Sequence, residues 1–564
     1  MNKTFLLFIF YLSPLFANLI YPINNSELNN IHIMFRWEQE DNITSYIFEL
    51  SNISDFSSPI ISHSTVDTTY YVKENIVWQS TYYWRVRLID DNFSETFSFS
   101  TNTPSYQFSE DVNPVEILYY DPEFTFDGIT IYGIMSPFYS AAIDMEGNEV
   151  WNSGGVDSYM FTLVDNNHTF LGDANLPPNY KGELGVEFTI DNGVIWNQPI
   201  YGDSADFLQH DLIKLPNGNY MGFVITDSAH FVPNSDDFSQ IPDSYDFSFE
   251  DNIPGFSTLP EGISYPWIWK GERIVEWDRD GNEVWSWNVF DYFNLDDFDY
   301  ISGFWEKVAS SGEPFDWTHF NAIVYDETEN AIYVSSKNLS RITKIDKASG
   351  DVIWNVGKQW LGDDIIEPDI LFSGQHGLQL LKNGNLLFFD NGILSGRFDG
   401  TNIYKSSAVE IHITDNNDEY VSETIWSYSL PPALYGVVSG NVQKLSNGNY
   451  LITTVGSTDG AHSLEVTESY ETVWDCKFNV GTPQGPIYRA MRINRLIECS
   501  NDIGDMNSDG TYNVMDIVAL ANCVLSAGCT NINNGCTGDM NGDEAWDVID
   551  IVALANCVLN ENCD

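Results

Sequence analysis

A repeated turn constrains the fold of this chain more than any other feature of its sequence. The turn reads leucine, any residue, Asn-Gly-Asn, and it occurs at Leu215–Asn219, Leu381–Asn385 and Leu445–Asn449. An Asn-Gly pair between two apolar runs is typical of a β-hairpin in which both turn residues take a positive φ. Each copy therefore predicts two antiparallel strands, and the recurrence predicts an architecture of repeated sheets.

A second repeat places a tryptophan at the end of a strand that follows a Gly- or Asp-containing turn. The six tryptophans in this position are Trp151, Trp196, Trp285, Trp354, Trp426 and Trp474. Two hairpins per unit make a four-stranded blade, so six units predict a six-bladed β-propeller over residues 104–500. We expect these tryptophans to lie in the cores of the blades rather than to form a ligand cage.

The segments on either side of the repeats have different patterns. Short alternating strands at Ile31–Trp37, Ser45–Leu50 and Thr81–Leu88 predict a small β-sandwich over residues 18–103. Residues 501–564 contain two acidic repeats, each followed by an amphipathic helix, and they predict a small α-helical module with paired calcium loops. The chain as a whole is therefore predicted to be mostly β.

The first seventeen residues have the pattern of a secretory signal peptide. Lys3 supplies the positive charge, residues 5–16 form a short apolar run, and Ala17 is a suitable cleavage residue. No other stretch approaches the 18 apolar residues of a membrane span, so we expect none. The mature protein is predicted to be secreted, periplasmic or attached to the cell surface.

Cysteine usage and charge agree with an extracellular protein. All seven cysteines lie at or after Cys476, and this crowding predicts disulfides in the C-terminal module, with one thiol left free or paired with another chain. The spacing leaves the pairing open. The formal net charge of −58 excludes nucleic acids and anionic membrane surfaces as partners.

Three of the nine histidines share one position in the repeat. His210, His319 and His376 each stand seven residues before the turn residue of their own unit. Equal position in equivalent blades means equal height, so three imidazoles on innermost strands would converge on the axis at one rim. Gly440 occupies the same position in another unit and is expected to leave space there.

Two polar residues are predicted to lie beside these histidines. Lys337 follows the strand that runs back from the turn after His319, and Asn321 lies two residues beyond His319 on the same strand face. Imidazoles, an ammonium group and an amide around one point suit an anion with three peripheral oxygens, one imidazole acting as the nucleophile.

The remaining six histidines lack this position in the repeat. We interpret three as structural and expect a fourth to face outward, whereas the last two could reach the axis without any positional argument. In that order they are His32, His63 and His168, then His412, then His230 and His462.

At these residues the central region resembles the bacterial arylsulfate sulfotransferases. The motifs that carry the resemblance are Gln209-His210-Asp211, Asp316-Trp317-Thr318-His319-Phe320-Asn321, Val334-Ser335-Ser336-Lys337, Phe372-Ser373-Gly374-Gln375-His376, Phe388-Phe389-Asp390-Asn391-Gly392 and Tyr488-Arg489-Ala490. The resemblance implies a six-bladed propeller outside the cytoplasm. It also implies transfer of a sulfuryl group from a phenolic sulfate ester to a phenol, without a nucleotide sulfate donor or an organic cofactor.

The same resemblance implies a role for each candidate residue. His376 matches the histidine that becomes transiently sulfated, the other two histidines match its helpers, and Asn321 matches an amide that contacts the sulfate. Lys337 stands where the family usually has arginine, and lysine cannot make the bidentate contact of a guanidinium group. Arg397 is a candidate for an assisting cation.

The two flanking segments also resemble known modules. Trp37 and the strand Thr81–Val86 resemble a fibronectin type III module, whereas the tail resembles a dockerin type I pair, which implies calcium and a cohesin-like partner or a role in surface display. The predicted calcium ligands are Asp505, Asn507, Asp509, Thr511 (carbonyl), Asn513 and Asp516 in the first loop, and Asp539, Asn541, Asp543, Ala545 (carbonyl), Asp547 and Asp550 in the second.

Three functions remain open from the sequence. The first is the sulfotransferase just described. The second is a non-catalytic propeller that binds an anion or a glycan and is displayed through the calcium-dependent module. The third is a quinone-dependent dehydrogenase. Those propellers usually have eight blades, however, and residues 104–500 contain no adjacent cysteine pair.

Overall fold

The computed structural model describes most of the chain, which divides into two compact units. One unit comprises residues 105–495, and the other comprises residues 1–104 together with 496–564. The described residues are 18–38, 45–65, 68–88, 93–105, 114–135, 138–154, 158–164, 169–174, 184–191, 193–199, 208–231, 266–299, 301, 314–416, 419–479, 487–494, 503–506, 511–525, 529, 535–540 and 546–560. The predicted signal peptide, residues 1–17, lies outside them.

The N-terminal segment forms two small sheets around one aromatic core. Its strands are β1 (Leu19–Tyr21), β2 (Ser26–Leu28), β3 (Ile33–Trp37), β4 (Tyr46–Ser51), β5 (Ile61–Thr65), β6 (Thr69–Val72), β7 (Thr81–Leu88) and β8 (Phe97–Thr101). One sheet has the order β1-β3-β6 and the other β2-β8-β7-β4-β5. Phe35 and Phe48 pack against the fully buried Trp84 between them. The fibronectin type III identity of this segment stays a prediction.

Residues 105–495 form a long succession of strands. They are β9 (Val115–Tyr120), β10 (Ile129–Met135), β11 (Phe138–Ile143), β12 (Glu149–Asn152), β13 (Ser158–Val164), β14 (Thr169–Ala174), β15 (Leu184–Phe188), β16 (Val194–Asn197), β17 (Leu208–Lys214), β18 (Tyr220–Phe231), β19 (Pro266–Trp277), β20 (Glu283–Asn288), β21 (Phe315–Asp316), β22 (Phe320–Asp326), β23 (Ala331–Ser336), β24 (Arg341–Asp346), β25 (Val352–Gly357), β26 (His376–Leu380), β27 (Leu386–Asp390), β28 (Ser407–Asp415), β29 (Tyr420–Ser429), β30 (Val438–Lys444), β31 (Tyr450–Ser457), β32 (Gly460–Val466), β33 (Thr472–Phe478) and β34 (Ile487–Ile493). A short helix, α1 (Ser395–Phe398), and two 3-10 turns, Val289–Asp291 and Pro432–Leu434, interrupt them.

The described strands of this unit make six antiparallel sheets. In chain order, we number them sheet 1 (β12-β11-β10-β34), sheet 2 (β13–β16), sheet 3 (β17–β20, with β21 parallel to β19), sheet 4 (β22–β25), sheet 5 (β26–β29) and sheet 6 (β30–β33, then β9). One edge strand of each sheet contacts the corresponding strand of the next sheet, in the closed order β34, β13, β17, β22, β26 and β30. These six strands are the inner strands of the circle.

The two ends of the unit close the circle. β9 comes first in the unit but pairs with β33 of sheet 6, whereas β34 comes last and pairs with β10 of sheet 1. Each end of the segment is therefore held by strand hydrogen bonds to the opposite end. The mostly β fold predicted from the sequence is confirmed.

The repeated Asn-Gly turn has a different geometry from the predicted one. Only the glycine of each pair takes a positive φ, at 83° for both Gly218 and Gly384 and 90° for Gly448. The Gly218 amide donates to the Leu215 carbonyl and the Leu215 amide to the Asn219 carbonyl, and both other copies repeat these bonds. The hairpin loop therefore has three residues and consists of a type I turn followed by a left-handed glycine that forms a bulge. The prediction of two positive φ values was wrong because the loop is one residue longer than a two-residue hairpin.

The tryptophan repeat links neighbouring sheets. The indole N–H of a tryptophan on the fourth strand of a sheet donates to a turn carbonyl of the next sheet. The four bonds of this kind are Trp151 to Ile190 (2.7 Å), Trp287 to Gly350 (2.9 Å), Trp426 to Glu468 (3.2 Å) and Trp474 to Met145 (3.0 Å). In sheet 3 the donor is Trp287, two residues after the predicted Trp285.

The C-terminal segment contains two helices, α2 (Val514–Leu525) and α3 (Val548–Asn560), and a 3-10 turn at Gly535–Gly538. Leu520 and Leu554 occupy equivalent places in the helices, and both are fully buried in one small core. A disulfide joins Cys523 to Cys529, and Cys557 is also disulfide-bonded. Among the described residues, Cys476 of β33 is a buried free thiol. None of the described helices has the length and apolar character needed to cross a membrane.

A buried ion pair at the closing seam gives the first prediction. Arg492 of β34 contacts Glu465 of β32 at 2.7 Å, and both side chains are fully buried. Arg492→Met leaves the carboxylate buried without its partner, which should lower the free energy of unfolding by about 3–5 kcal/mol. Guanidinium unfolding followed by tryptophan fluorescence measures this loss.

The double variant Glu465→Gln/Arg492→Met removes both charges and should recover much of the stability. Lys477→Met, which breaks the exposed pair with Asp459 near the same seam, is the control and should change little. Equal losses for Arg492→Met and Lys477→Met would contradict the argument.

Candidate functional site

The three predicted histidines stand at irregular positions of their inner strands. His210 lies inside a bulge of β17, between the paired residues Gln209 and Leu212, and has a φ of 66°. His319 directly precedes β22 and has a φ of 52°. His376 begins β26 and is followed by Gly377 with a φ of 65°. A positive φ is costly for a residue with a side chain, and bulges of this kind redirect side chains next to functional sites.

The structure brings the three imidazoles together. The Nε2 atoms of His210 and His319 are 2.9 Å apart, and the centroids of their rings are 4.6 Å apart. The ring centroid of His376 is 6.1 Å from that of His210. The ring of Tyr488, from β34, lies 5.1 Å from His376 and completes the cluster. We call His210, His319, His376 and Tyr488 the histidine cup.

A backbone carbonyl determines the tautomer of His376. Its Nδ1 lies 2.8 Å from the carbonyl oxygen of Gly440. A carbonyl can only accept, so Nδ1 carries the proton and Nε2 carries the lone pair of the neutral ring. Burial, with the charges of Arg489 and Lys337, holds the pKa of His376 well below its usual value. The ring is therefore neutral at pH 7 and has one available nucleophilic nitrogen.

Gly440 has a more direct role than the space expected from its sequence. Its φ is 85°, and a Cβ at this position would lie 2.6 Å from the carbonyl oxygen of Thr453. Glycine lets the backbone turn its carbonyl toward His376, and a larger residue would obstruct that turn.

Asp316 holds the other end of the cluster. Its Oδ2 lies 2.6 Å from Nδ1 of His319. Burial favours a raised pKa, but the charges of His319 and Lys337 outweigh it, so the pKa of Asp316 lies below its usual value. The carboxylate is ionised and accepts a hydrogen bond from the Nδ1–H of His319.

The contacts of His210 with Tyr488 and His319 determine how protons are placed in the rest of the cup. The Tyr488 hydroxyl donates to the His210 carbonyl at 3.0 Å, and its oxygen is 3.3 Å from Nδ1 of His210. Two lone pairs cannot face each other at 2.9 Å, so one proton lies between the Nε2 atoms of His210 and His319. Burial, with the charges of His319 and His376, keeps the pKa of His210 well below its usual value, so His210 stays neutral.

Lys337 lies beside this cluster, as predicted. Its backbone amide donates to the His319 carbonyl at 3.2 Å. Burial lowers the pKa of its ammonium group, and the charge of Asp316 opposes that shift. Lys337 in turn helps to lower the pKa values of His210 and His376.

Asn321 connects the histidine segments. It is fully buried, and its Nδ2 donates to the carbonyl of Gln375 at 2.7 Å, next to His376. Arg397, in contrast, lies exposed on α1 and, within the described part of the chain, makes no hydrogen bond or ion pair with the histidine cup.

The second cation near the cup is Arg489, which the sequence reasoning did not select. From β34 its guanidinium contacts Asp211 Oδ1 at 3.1 Å and donates to the carbonyl of Asn321 at 2.7 Å. Arg489 therefore joins sheets 1, 3 and 4 directly below the histidines. Spacing could not find it because β34 reaches the axis only after the circle closes, and the signal available was its place in the Tyr488-Arg489-Ala490 motif.

The other histidines lie elsewhere. His462 is buried on β32 with Nδ1 2.9 Å from Asp475, and His230 packs beside Trp269 and Phe290 on the arm formed by β18 and β19. His412 contacts Asn385 on sheet 5. His32 is buried in the sandwich with its pKa lowered to about 4 by burial and by Lys73, and His63 is exposed there. His168 lies outside the described residues.

The two predicted calcium loops use their last ligand in the same way. Asp516 accepts from the amides of Met506 (2.9 Å) and Asn513 (2.8 Å), and Asp550 accepts from those of Met540 (3.0 Å) and Asp547 (2.9 Å). Both aspartates are fully buried. Such oxygen-rich, duplicated loops suit calcium.

Some of the predicted calcium ligands are not described. Asp505, Thr511, Asn513, Asp516, Asp539, Asp547 and Asp550 are described, whereas Asn507, Asp509, Asn541, Asp543 and Ala545 lie outside the described residues. No cluster of three or more His, Cys, Asp or Glu side chains suited to a metal occurs in the described part of the chain.

Comparison with known families agrees with the site. Residues 269–489 match the arylsulfotransferase (ASST) family model. The central segment of the chain is therefore similar to arylsulfotransferases. The match includes His319, His376 and Lys337, whereas His210 lies before it. Residues 503–559 match the dockerin type I domain model. Both resemblances read from the sequence are thereby confirmed.

Comparison with whole proteins finds only distant similarity. No curated protein matches the chain. Among solved structures, the periplasmic gluconolactonase PpgL of Pseudomonas aeruginosa is 9% identical, covering 80% of this chain and 99% of its own, with a TM-score of 0.29. The β-propeller domain of Myceliophteria thermophila Cps50 (Swd1) is 11% identical, covering 66% of this chain and 90% of its own, with a TM-score of 0.30.

The low pKa values of two cup histidines give the second prediction. His210 and His376 stay neutral in the folded chain, but in the unfolded chain they bind protons below a pH of about 6.5. The unfolded state then holds up to two more protons, so stability should fall as the pH decreases below that value. Two protons correspond to a slope of about 2.7 kcal/mol per pH unit.

Denaturant unfolding of the wild type and of His210→Asn/His376→Asn between pH 7 and pH 5 measures the slope. The double variant should lose this part of the pH dependence, whereas His63→Asn, at an exposed position, serves as the control. An unchanged slope in the double variant would contradict the buried, neutral assignment.

Proposed function

We propose that this protein is a secreted sulfotransferase that moves a sulfuryl group from a phenolic sulfate ester to a phenolic acceptor, without a nucleotide sulfate donor. One observation carries the proposal. In a segment that matches arylsulfotransferases, the Gly440 carbonyl holds the Nδ1–H of His376, so Nε2 is left as the nucleophile. The proton between His319 and His210 and the ammonium group of Lys337 offer a donor and a positive charge to a sulfuryl group.

The first half-reaction is attack by Nε2 of His376 on the sulfur of the donor. The sulfur–nitrogen bond forms as the bond from sulfur to the phenolic oxygen breaks. The departing phenolate takes the proton that His319 shares with His210. Because a phenol has a pKa of about 10, its phenolate needs only modest help from this acid.

The second half-reaction reverses these roles. An acceptor phenol returns a proton to the pair of His319 and His210, and its oxygen attacks the sulfur on His376. The sulfur–nitrogen bond breaks, and Nε2 regains its lone pair. Donor and acceptor therefore react in turn, as in ping-pong kinetics. Asn321 gives one amide proton to Gln375 and keeps a second one for a sulfuryl oxygen.

The C-terminal module supports a docking role for the secreted enzyme. Its helices expose apolar residues at equivalent positions, which is unusual for a surface that meets only water. The four pairs are Val514 and Val548, Met515 and Ile549, Val518 and Val552, and Leu525 and Leu559. With the dockerin match, they support calcium-dependent docking to a cohesin-like partner or a cell-surface anchor.

A non-catalytic propeller that binds an anion or a glycan is the second candidate. The same N–H donors and ammonium group would hold a sulfate ester without breaking it, and the dockerin match fits display of such a binder. The two candidates differ in whether His376 becomes covalently modified.

The third prediction tests that difference. Incubation with nitrophenyl sulfate, without an acceptor, should add one sulfuryl group to His376, because Nε2 attacks and nothing removes the group. Mass spectrometry of the intact protein and of its peptides detects the adduct. His376→Ala should lose the adduct and lower the release of nitrophenol at least about 10³-fold.

His412→Ala, which changes a histidine outside the cup, is the matched control and should retain the adduct. Binding of the ester to the wild type without an adduct or turnover would reject the enzyme and favour the binding propeller.

The fourth prediction concerns calcium. If Asp516 and Asp550 each complete a calcium loop, the full chain should bind two calcium ions after chelator treatment and dialysis. Asp516→Ala and Asp550→Ala should each reduce this number to one in isothermal titration calorimetry. Asp399→Asn, at an exposed acid on the other unit, should leave two. Two ions in either alanine variant would contradict the ligand assignment.

A further inference from the structure

We propose that Glu272 is a positioning residue for His319, an inference that rests on the proposed function. Glu272 lies on β19 of sheet 3 and is 1% exposed, whereas His319 belongs to the segment that enters sheet 4. The carboxyl group of Glu272 therefore extends from sheet 3 to the segment that carries His319 at the start of sheet 4.

The residue that precedes His319 donates to this carboxyl group. The Thr318 hydroxyl donates to Oε2 of Glu272 at 2.5 Å. The backbone amides of His319 and Phe320 also favour the charged form of this carboxyl group and partly offset the rise in its pKa. The pairing of β22 with β23 begins at Phe320 and Ser336, and His319 precedes it. Glu272 thus meets the chain at the point where this ladder begins.

This arrangement accounts for the conformation of His319. A φ of 52° costs on the order of 1–3 kcal/mol for a residue other than glycine unless its surroundings hold it in place. Glu272 holds the Thr318 side chain directly before His319, and Asp316 fixes the direction of the His319 ring. One acid holds the segment and the other holds the imidazole.

Glu272 and Asp316 differ in charge, so that each can bind a different part of the His319 segment. Burial, and secondarily the nearby charge of Asp316, raises the pKa of Glu272 to about 8. The carboxyl group of Glu272 is therefore mainly uncharged at pH 7, whereas Asp316 is ionised. Glu272 can hold this segment without competing with Asp316 for the Nδ1–H of His319.

A second buried acid, Asp390, holds the loop that precedes His376. Asp390 is buried, and its Oδ1 accepts from the amides of Ser373 and Gly392, both at 2.8 Å. Burial raises its pKa to about 7. Buried acids thus hold two of the loops that carry cup histidines.

The role of Glu272 can be separated from general stability by the choice of donor. If Glu272 positions His319 as the acid, its loss should matter little for nitrophenyl sulfate, which has a good leaving group. It should matter much more for methylphenyl sulfate, whose leaving phenolate needs the proton. A merely structural role would lower kcat/KM by the same factor for both donors.

The experiment compares Glu272→Leu with Glu272→Gln, which keeps an acceptor oxygen. We expect Glu272→Leu to lower kcat/KM about 100-fold for methylphenyl sulfate and less than about tenfold for nitrophenyl sulfate. Glu272→Gln should lie close to the wild type. Glu410→Leu is the matched control, because Glu410 is also buried but binds Asn385 and Tyr450 of sheets 5 and 6. Any loss of kcat/KM in Glu410→Leu should be the same for both sulfate donors.

A second variant and a second measurement keep the test independent of folding and of turnover. Thr318→Val removes the hydroxyl that donates to Glu272 and should give a smaller loss with the same dependence on the sulfate donor. In proton NMR of the full chain, the Nδ1–H of His319 should give a low-field signal because it is held at 2.6 Å by Asp316. That signal should weaken in Glu272→Leu and persist in Glu410→Leu.

The outcomes separate the inference from the proposed function. A wild type that forms no His376 adduct rejects the sulfotransferase, while the NMR signal still decides whether Glu272 positions His319. A wild type with an adduct, and a Glu272→Leu variant that loses the same factor with both donors and keeps the signal, rejects the inference.

Discussion

The closure of the circle is the constraint on which the site depends. β34 must return to β10 and β9 must join β33 before six inner strands share one axis. Closure brings Tyr488 and Arg489, from the last strand, against histidines that lie more than a hundred residues earlier. A chain with an open seam would leave sheets 1 and 6 without one strand each and would lose the histidine cup. The buried pair of Arg492 and Glu465 stands at this seam and ties the integrity of the fold to that of the site.

Many features of the site lower the stability of the folded protein. Two histidines have a positive φ, Lys337 is a half-buried ammonium group, and Arg489 and Asp211 form a buried ion pair. Each is tolerable only with fixed partners, because a buried charge without one is strongly destabilising. The outer parts of the sheets supply regular packing, including the indole bonds between neighbouring sheets. The strain is thus confined to the rim, where it directs side chains toward a ligand.

The sequence predicted the repeating parts of this structure well and the singular parts poorly. The common position of His210, His319 and His376 predicted their convergence because closed symmetry maps equal positions to equal heights. The turn geometry was wrong because Asn-Gly suits both a two-residue and a three-residue loop, and only the backbone bonds of Gly218 distinguish them. Arg489 was missed in favour of Arg397 because nothing in the spacing shows which arginine lies on an inner strand. Glu272 was missed because its function depends on a contact between two sheets.

The charges of the cup bear on how, on the proposed function, lysine could serve where the family usually has arginine. The charge of Arg489 is balanced by its pairing with Asp211. Lys337 is the other cation that acts on the cup, and it lies beside the neutral rings of His210 and His376. A sulfate monoester carries one negative charge, which a single ammonium group balances, whereas a phosphate monoester carries about −1.5 to −2 at pH 7. On the proposed function, a compact cation beside neutral imidazoles would favour the sulfuryl group by charge. A bidentate guanidinium group would add directional contacts to the oxygens without changing that balance.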